Sequence, residues 1–566
     1  MIVLGLNAYG HDAAAVLLAD GVPLFAASEE RYDRVRHSGA FPRGAIAAAL
    51  QHAGLAPRDV DLVAFPWSRG MARVRKALHV LRHWPRSRAF LQQRPDPALP
   101  GRRDYLRAMA GLEGDMRALG LAAPVVRVAH HLAHATSARL ALPDPDAPAV
   151  LLTADGMGEW TTTALWEQRA GRLALRARSN YPHSAGKAYA AVTAWLGFRP
   201  ESDEGKTMGL AGYGSPGTPQ AAFGRRLLTP HPRWLLRADT ARFAYPLGEA
   251  RLYGDAFLRE LGPARAPHEP LREGDASLAL GMQQALEAVM EAALRQGLAR
   301  TGAAQAGLAG GVFLNCALNG VLARRLPARI RPFPVAGDAG AAWGAAAWAH
   351  ERRSGRPAAP LATLRLGHDL TPAEAARVAP GAPALDAATL AHRTAQALQA
   401  GQVVGVARGR AEAGPRALGG RSVLASPVST ALRDEVNRRK GREAWRPLAP
   451  VVRSDATHLF AGLEASPWMI STFVATERAR AEVPGAVHAD GTARVQALPP
   501  GGEPFLEALL AALEAGGHPP CLLNTSLNRR GEPIVTTAQE ALEAARAMGL
   551  DALVLADRWV ALPGPA

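Results

Sequence analysis

The stretch IVLGLNAYGHDAAAVLLADGVPLFAASEE (2–30) reads as an apolar strand, a small-residue turn carrying Asp12, a returning strand, an Asp-Gly turn and a third strand. AVLLTADGMGEWTTTALWEQRAGRLALRARSN (149–180) repeats that order at similar spacing, with Asp155 standing where Asp12 stood. One unit written twice, each copy followed by helical segments, predicts two similar α/β lobes with a cleft between them. Turns of this kind bring backbone N–H groups and a carboxylate to a phosphate–metal centre. The plainer alternative is two unrelated hairpins.

Between the copies, 66–120 is rich in arginine and proline with helical patches such as MARVRKALHVLRHW (71–84), and reads as an insertion, a lid or substrate-side cap. LAGGVFLNCALNG (308–320) gives a buried strand, a Gly-Gly approach point and a helix start. FPVAGDAGAAWGAAAWAH (333–350) ends a strand, turns at Asp338 and enters a small-residue helix. ERRSGRPAAPLA (351–362) is linker-like. The expected division is a first domain over 1–360, a connecting segment over 361–385 and a second α/β domain over 386–566.

Composition narrows the function. The 566 residues are 48% hydrophobic and 20% charged, an ordinary globular balance. No apolar run reaches ~18 residues, so a membrane span is not expected. The N-terminus lacks a basic lead and reads as a strand, not a signal peptide. Two isolated cysteines, Cys316 and Cys521, argue against a disulfide framework or CxxC zinc module and suit a cytoplasmic protein. The net charge of +15 comes almost wholly from arginine, with lysine only at 76, 187, 206 and 440. Without an aromatic-interleaved basic stripe, nucleic acid is disfavoured as a partner.

Several motifs carry chemistry. In VAHHLAHAT (128–136), a helix puts His130 and His134 on one face and turns His131 elsewhere. Such a pair is either half of a metal clamp or polar residues on a buried helix; Asp155 and Asp338 are the available oxygen donors. DEGKTMGLAGYG (203–214) combines acid, Lys206 and glycines, as a nucleotide contact or a solvated loop, but is not a Walker A sequence. GRAEAGPRALGGRSVLASP (409–427) and NRRKGREAWRPLAP (437–450) set Arg410, Arg416, Arg421, Lys440, Arg442 and Arg446 among glycine, proline and apolar residues. Partly buried cations need anions, so phosphate or carboxylate capture is expected there.

Together these motifs resemble the O-carbamoyltransferase family of NodU, CmcH and TobZ relatives over nearly the whole chain. GHDAAA, ASEERYDR, HHLAHA, ADGMGEW, PHSAGKAYAAVTAWLGF, EGKTMGLAGYG, GGVFLN, GDAGAAWGAA, GPRALGGRS, NRRKGREAWRP, DGTARVQ and NTSLNRRGEPIV occur in family order. The resemblance implies an α/β chain: a duplicated, two-lobed actin-like (ASKHA) N-terminal domain followed by a YrdC-like C-terminal domain. It implies that the C-terminal domain makes carbamoyl-adenylate from carbamoyl phosphate and ATP, with Arg416, Lys440, Arg446, Arg494, Asn524, Ser526 and Arg530 holding the anions. It implies transfer to a hydroxyl of a natural-product or sugar-like acceptor in the N-terminal domain, with His11 as catalytic histidine beside Asp12. His130, His134, Asp155 and Asp338 match metal ligands for iron or another divalent ion such as Mg or Mn. Lys206, Gly209, Gly310, Gly311 and Asn315 fall to nucleotide contact, and His131 to a supporting or ligand-facing role. A homodimer is left open.

Two departures stand out. Gly212 replaces a proline in the GLAGYG turn, and RVRHSG stands where a lysine-rich run follows EER, which weakens any role for Arg36 or His37. The alternatives are a tRNA threonylcarbamoyl-type transferase and a non-catalytic nucleotide- or RNA-binding protein. Hydrogenase-maturation carbamoyltransferases carry Cys-rich zinc fingers, which two cysteines exclude.

Overall fold

The computed structural model describes residues 1–68, 70, 72–91, 108–144, 146–248 and 251–563. The chain divides into two compact units, Met1–Glu29 with His37–Ala362, and Glu30–Arg36 with Thr363–Ala566. Part of the insertion, 92–107, lies outside the described residues.

In the first unit, β1 (Ile2–Asn7), β2 (Ala14–Ala19), β3 (Val22–Ser28), β4 (Leu62–Phe65) and β5 (Val125–Arg127) form a sheet ordered β3-β2-β1-β4-β5. β1, β2 and β3 form an antiparallel meander, while β4 and β5 run parallel to β1. The second lobe has β6 (Ala149–Gly158), β7 (Thr161–Arg169), β8 (Arg172–Asn180), a separate hairpin of β9 (Leu228–His231) and β10 (Leu235–Ala238), β11 (Gln305–Ala309) and β12 (Arg329–Pro332). Its main sheet is ordered β12-β11-β6-β7-β8, with β6–β8 antiparallel and β11 and β12 parallel to β6. The two sheets share one topology, the duplication that defines the actin-like architecture.

One local expectation is corrected. Asp155 lies inside β6, not in the hairpin turn. The register jumps from Ala154↔Thr163 to Gly158↔Thr161, so 155–157 oppose Thr162 alone. A bulge of this size re-aims a side chain without ending the strand.

Small residues set the distances between layers. A Cβ on Gly344, in the helix Asp338–Ser354, would lie 1.7 Å from the carbonyl oxygen of Ala133 in the helix His130–Leu140. On β1, a Cβ on Gly5 would lie 2.3 Å from the Ala342 carbonyl oxygen of that same helix. The Asp338 helix is therefore seated directly on β1 and on the histidine helix, closer than any larger residue permits.

The second unit contains β13 (Arg365–Leu370), β14 (Val404–Ala407), β15 (Gly409–Glu412), β16 (Arg421–Ala425), β17 (Ala449–Arg453), β18 (Phe460–Ala461), β19 (Thr472–Ala475), β20 (Thr492–Arg494), β21 (Gln496–Leu498), β22 (Leu522–Ser526), β23 (Ala552–Leu555) and β24 (Arg558–Ala561). Its main sheet is the mixed order β21-β17-β22-β16-β14-β23-β24, flanked by a β13–β15 pair and a β18-β19-β20 sheet. The stretch 361–385, expected as a connector, supplies β13 and the helix Pro372–Val378 to this unit. Leu370 and Ala375 are buried in its core, and Thr371 caps the helix through Glu374 N. No described helix is long and apolar enough to cross a membrane.

Candidate active site

Four side chains from three segments of the first unit meet: two from the helix His130–Leu140, one from β6 and one from the start of the helix Asp338–Ser354. The Nε2 atoms of His130 and His134 lie 3.1 Å apart. Asp155 Oδ2 is 3.6 Å and 3.2 Å from them, and Asp338 Oδ1 is 3.5 Å and 3.7 Å away. One donor atom from each residue falls within 4.8 Å of the others. Bonds of about 2.1 Å to a common ion place neighbouring ligands roughly 3.0–3.4 Å apart, and the five separations here run from 3.1 Å to 3.7 Å, slightly wider than that. Two imidazoles and two carboxylates, nearly buried, fit a divalent cation.

The electrostatics agree. Burial opposes a charge on His130, yet Asp338 and Asp155 push it up to about 10. Burial likewise opposes ionised Asp338, but His11 and His130 hold it at about 2. The two carboxylates demand a positive charge between the rings.

Local packing explains the placement. Ring stacking with Trp67 at 4.1 Å fixes His130, and a Cβ on Gly158 would strike its ring at 2.3 Å. Ser184 caps the helix Ala185–Trp195 by accepting from Lys187 N, and its hydroxyl donates to Gly156 O at 2.7 Å, anchoring the Asp155 bulge. Asp155 Oδ1 accepts from Gly156 N at 2.7 Å. His131 faces away: Nε2 donates to Thr161 O at 2.9 Å and Nδ1 accepts from the Thr153 hydroxyl at 2.8 Å. Burial, then His130 and His134, depress it to about 3, so it is a neutral strut joining helix to strands.

His11 and Asp12 border this cluster. His11 Nδ1 is 3.1 Å from Asp12 Oδ2, and its Nε2 is 3.7 Å from Asp338 Oδ2. Burial resists protonation of His11, but Asp338 and Asp12 raise it well above the ordinary imidazole range. His37 Nδ1 reaches Asp12 Oδ1 at 2.7 Å, although RVRHSG departs from the family pattern at this segment. Asn7 Nδ2 donates to the carbonyls of His11 and Asp12, and Trp67 Nε1 donates to Asn7 Oδ1. Asp12 at φ 55° is held in a conformation that non-glycine residues rarely adopt.

The residues expected at nucleotide are less uniform. Gly311 N faces Asp155 Oδ2 at 3.4 Å, and Gly310, at φ 98°, packs its Cα against the Ala154 carbonyl. Asn315 caps the helix Cys316–Arg325 through Leu318 N and bonds Gln283, so its amide is spent on structure. Lys206 pairs with Asp203 at 3.1 Å, and Gly209 lies in the helix Glu204–Ala211 where a loop had been weighed. Gly212, at φ −62°, keeps the geometry a proline would impose. Lys187, not singled out from sequence, pairs with Glu201 beside Gly156.

In the second unit, Lys440, Arg442, Arg446 and Arg494 form a mutually repelling cationic group. Burial, with Arg442 and Arg446, drives the Lys440 ammonium well below its ordinary value, and burial, Arg446 and Arg494 bring Arg442 down to about 9. Such excess positive charge is what an anion neutralises. Lys440 Nζ donates to the carbonyls of Ser526 and Asn528, and Ser526 Oγ to Asn528 Oδ1. Arg494 Nε, buried, has no hydrogen-bond partner among the described residues. Asn524 Nδ2 donates to Ala417 O and Gln496 Oε1, tying β22 to the GPRALGG loop. Arg416 lies on that loop, and Arg530, largely exposed, donates to Gly441 O at 3.1 Å. Arg410 and Arg421 are corrected: Arg421 donates to the carbonyls of Thr536, Arg408, Gly409, Gly420 and His368, and Arg410 to those of Leu366 and Gly367. Both are structural. Glu412, absent from the sequence reading, accepts from the amides of Leu418, Gly420 and Arg421 and shapes the loop from within.

Residues 2–347 match the family described as Carbamoyltransferase N-terminus, and 395–561 match Carbamoyltransferase C-terminus. The chain belongs to the carbamoyltransferase family. It is 32% identical to nodulation protein NolNO of Sinorhizobium fredii over 97% of this chain and 78% of that one. An uncharacterised Synechocystis protein is 34% identical over 98% and 95%. A 3'-hydroxymethylcephem-O-carbamoyltransferase of Amycolatopsis lactamdurans is 37% identical over 29% of this chain and 31% of its own. The protein is thus an enzyme that transfers carbamoyl groups from a donor to an acceptor.

Proposed function

We propose that this carbamoyltransferase is an ATP-dependent O-carbamoyltransferase acting in two steps. Carbamoyl phosphate loses phosphate to water, and the carbamate oxygen attacks the α-phosphorus of ATP, releasing pyrophosphate and leaving carbamoyl-adenylate. Arg442, Arg446 and Arg494 neutralise these anions in the second unit, and Lys440, its ammonium donors taken by Ser526 and Asn528, holds the Ser526–Asn528 turn beside them. In the first unit an acceptor hydroxyl attacks the carbamoyl carbon, AMP leaves, and an O-carbamoyl ester forms. Asp338 is the main group that raises His11, so a cation offsetting that carboxylate would return His11 to its neutral form, Asp12 holding the proton on Nδ1 and Nε2 left as the lone pair that takes the hydroxyl proton. His130, His134, Asp155 and Asp338 would hold a divalent ion, which the resemblance implies is iron or another such as Mg or Mn. When bound, that ion supplies Lewis-acid neutralisation of the adenylate phosphate. The observation that carries this reading is the convergence of His130, His134, Asp155 and Asp338 beside the His11–Asp12 pair. The acceptor proposed is a hydroxylated small molecule.

The test is pyrophosphate release from ATP, expected only with carbamoyl phosphate present. His11→Ala is expected to retain release and lose transfer by at least about 100-fold, the span of a general base. Lys440→Ala and Arg494→Ala are expected to lose both. Full transfer by Lys440→Ala, or pyrophosphate release without carbamoyl phosphate, would sink the division of labour.

A further inference from the structure

The helix Arg73–Arg82 is packed the wrong way round for a helix of a globular core. Its buried contact is a histidine: His79 Nε2 donates to Pro246 O at 2.7 Å, and its ring meets Trp160 and Tyr181. Three of its four large apolar residues face outward, Val74 74%, Leu78 60% and Leu81 69% exposed, while Val80 is half-buried. At ~100° per residue those three fall within a stripe about 60° wide, opposite His79. Trp84, 57% exposed, follows just past the helix end.

Charge surrounds the stripe. Residues 62–95 contain seven arginines, one lysine and no aspartate or glutamate. Arg73, Arg75, Arg82, Arg86 and Arg88 are all exposed, and none pairs with a carboxylate among the described residues. An outward apolar stripe flanked by cations and ended by a tryptophan has the chemistry of a helix lying in a lipid interface. Nucleic acid would use the arginines but gains nothing from exposed leucines. A second copy of this chain would present the same cationic face to itself, and like charges repel across such an interface.

We propose that the 73–88 segment docks the enzyme on an anionic phospholipid surface, Val74, Leu78, Leu81 and Trp84 entering the acyl boundary while the arginines bind headgroups. The segment is separate from the residues assigned to chemistry, so docking and catalysis are tested independently.

The full-length protein is sedimented with vesicles of phosphatidylcholine alone and of phosphatidylcholine with phosphatidylglycerol. Binding is expected to the anionic vesicles only, weakening with salt. Arg75→Gln with Arg82→Gln should lower partitioning about 30-fold, at about 1 kcal/mol for each cation and tenfold per 1.4 kcal/mol. Leu78→Gln with Leu81→Gln should also release the protein, with melting temperature and lipid-free pyrophosphate release unchanged, because both side chains are already exposed. Failure to bind anionic vesicles overturns the proposal, as does unchanged binding by the leucine pair. Concentration-dependent self-association abolished by that same pair, without lipid, would make a second copy the occupant and equally overturn it.

Discussion

Glu412 shows what one buried carboxylate does in this chain. Its Oε1 gathers three loop amides at 2.6 Å, 2.7 Å and 3.2 Å. Burial opposes its ionisation, but Arg365 and the Leu418 amide win, and its acidity is strengthened relative to a free glutamate. A carboxyl group with a depressed folded pKa stabilises the protein above the unfolded pKa of about 4.3, and that stabilisation drains away as pH falls through the folded value. Glu412→Gln should therefore cost about 2 kcal/mol at neutral pH, as loss of charge-assisted hydrogen bonds does. The gap from the natural chain should narrow below about pH 4, read from urea midpoints across that range. An equal gap at all pH values would show that the side chain works through shape alone. No spacing rule points to Glu412, since its partners are amides of a loop whose path it determines. The same limit hid the fate of Arg421: density of arginine predicts anion binding, but whether carbonyls consume the guanidinium depends on chain segments far apart in sequence.

At the scale of elements, the cluster depends on how closely two helices approach. Gly344 admits the Ala133 carbonyl, and that fit brings Asp338 at one helix start to His130 and His134 on the other. Gly344→Ala should force the helices apart, costing about 1–3 kcal/mol by overpacking and lowering transfer more than pyrophosphate release. Gly217→Ala, where an added Cβ meets nothing within 4 Å, is the control. Equal transfer rates in the two variants would refute the claim that this helix contact positions Asp338. The duplicated meander was legible because strand order follows apolar alternation and turn residues, and the His130–His134 pair because helical spacing fixes a face. The bulge at 155–157 was not, because a strand carrying extra residues reads like a strand ending in a turn. His131 was ambiguous for a related reason: its role lies in Thr153 and Thr161, residues on another element.

At the scale of the molecule, the second unit is discontinuous in sequence. Glu30–Arg36 belongs to it although about 330 residues separate that segment from Thr363. Arg31 Nη2 donates to Gly414 O on the GPRALGG loop at 2.9 Å, and Arg34 donates to the carbonyls of Pro533 and Ile534 at 2.9 Å each. Arg31 is buried, and the Thr536 hydroxyl donates to its carbonyl. A fragment starting at 363, where the continuous part of the unit begins, lacks these seven residues. Three charge-assisted hydrogen bonds would be missing, while the orphaned carbonyls regain water, so a net loss of about 3 kcal/mol is expected. Because Gly414 belongs to the loop that carries Arg416, the fragment should also release pyrophosphate more slowly than the whole chain. Joining 30–36 to the fragment through a flexible linker should recover much of both losses, measured by thermal melting and by carbamoyl-phosphate-dependent pyrophosphate release. If fragments with and without the segment melt together, the seven residues contribute nothing to the unit.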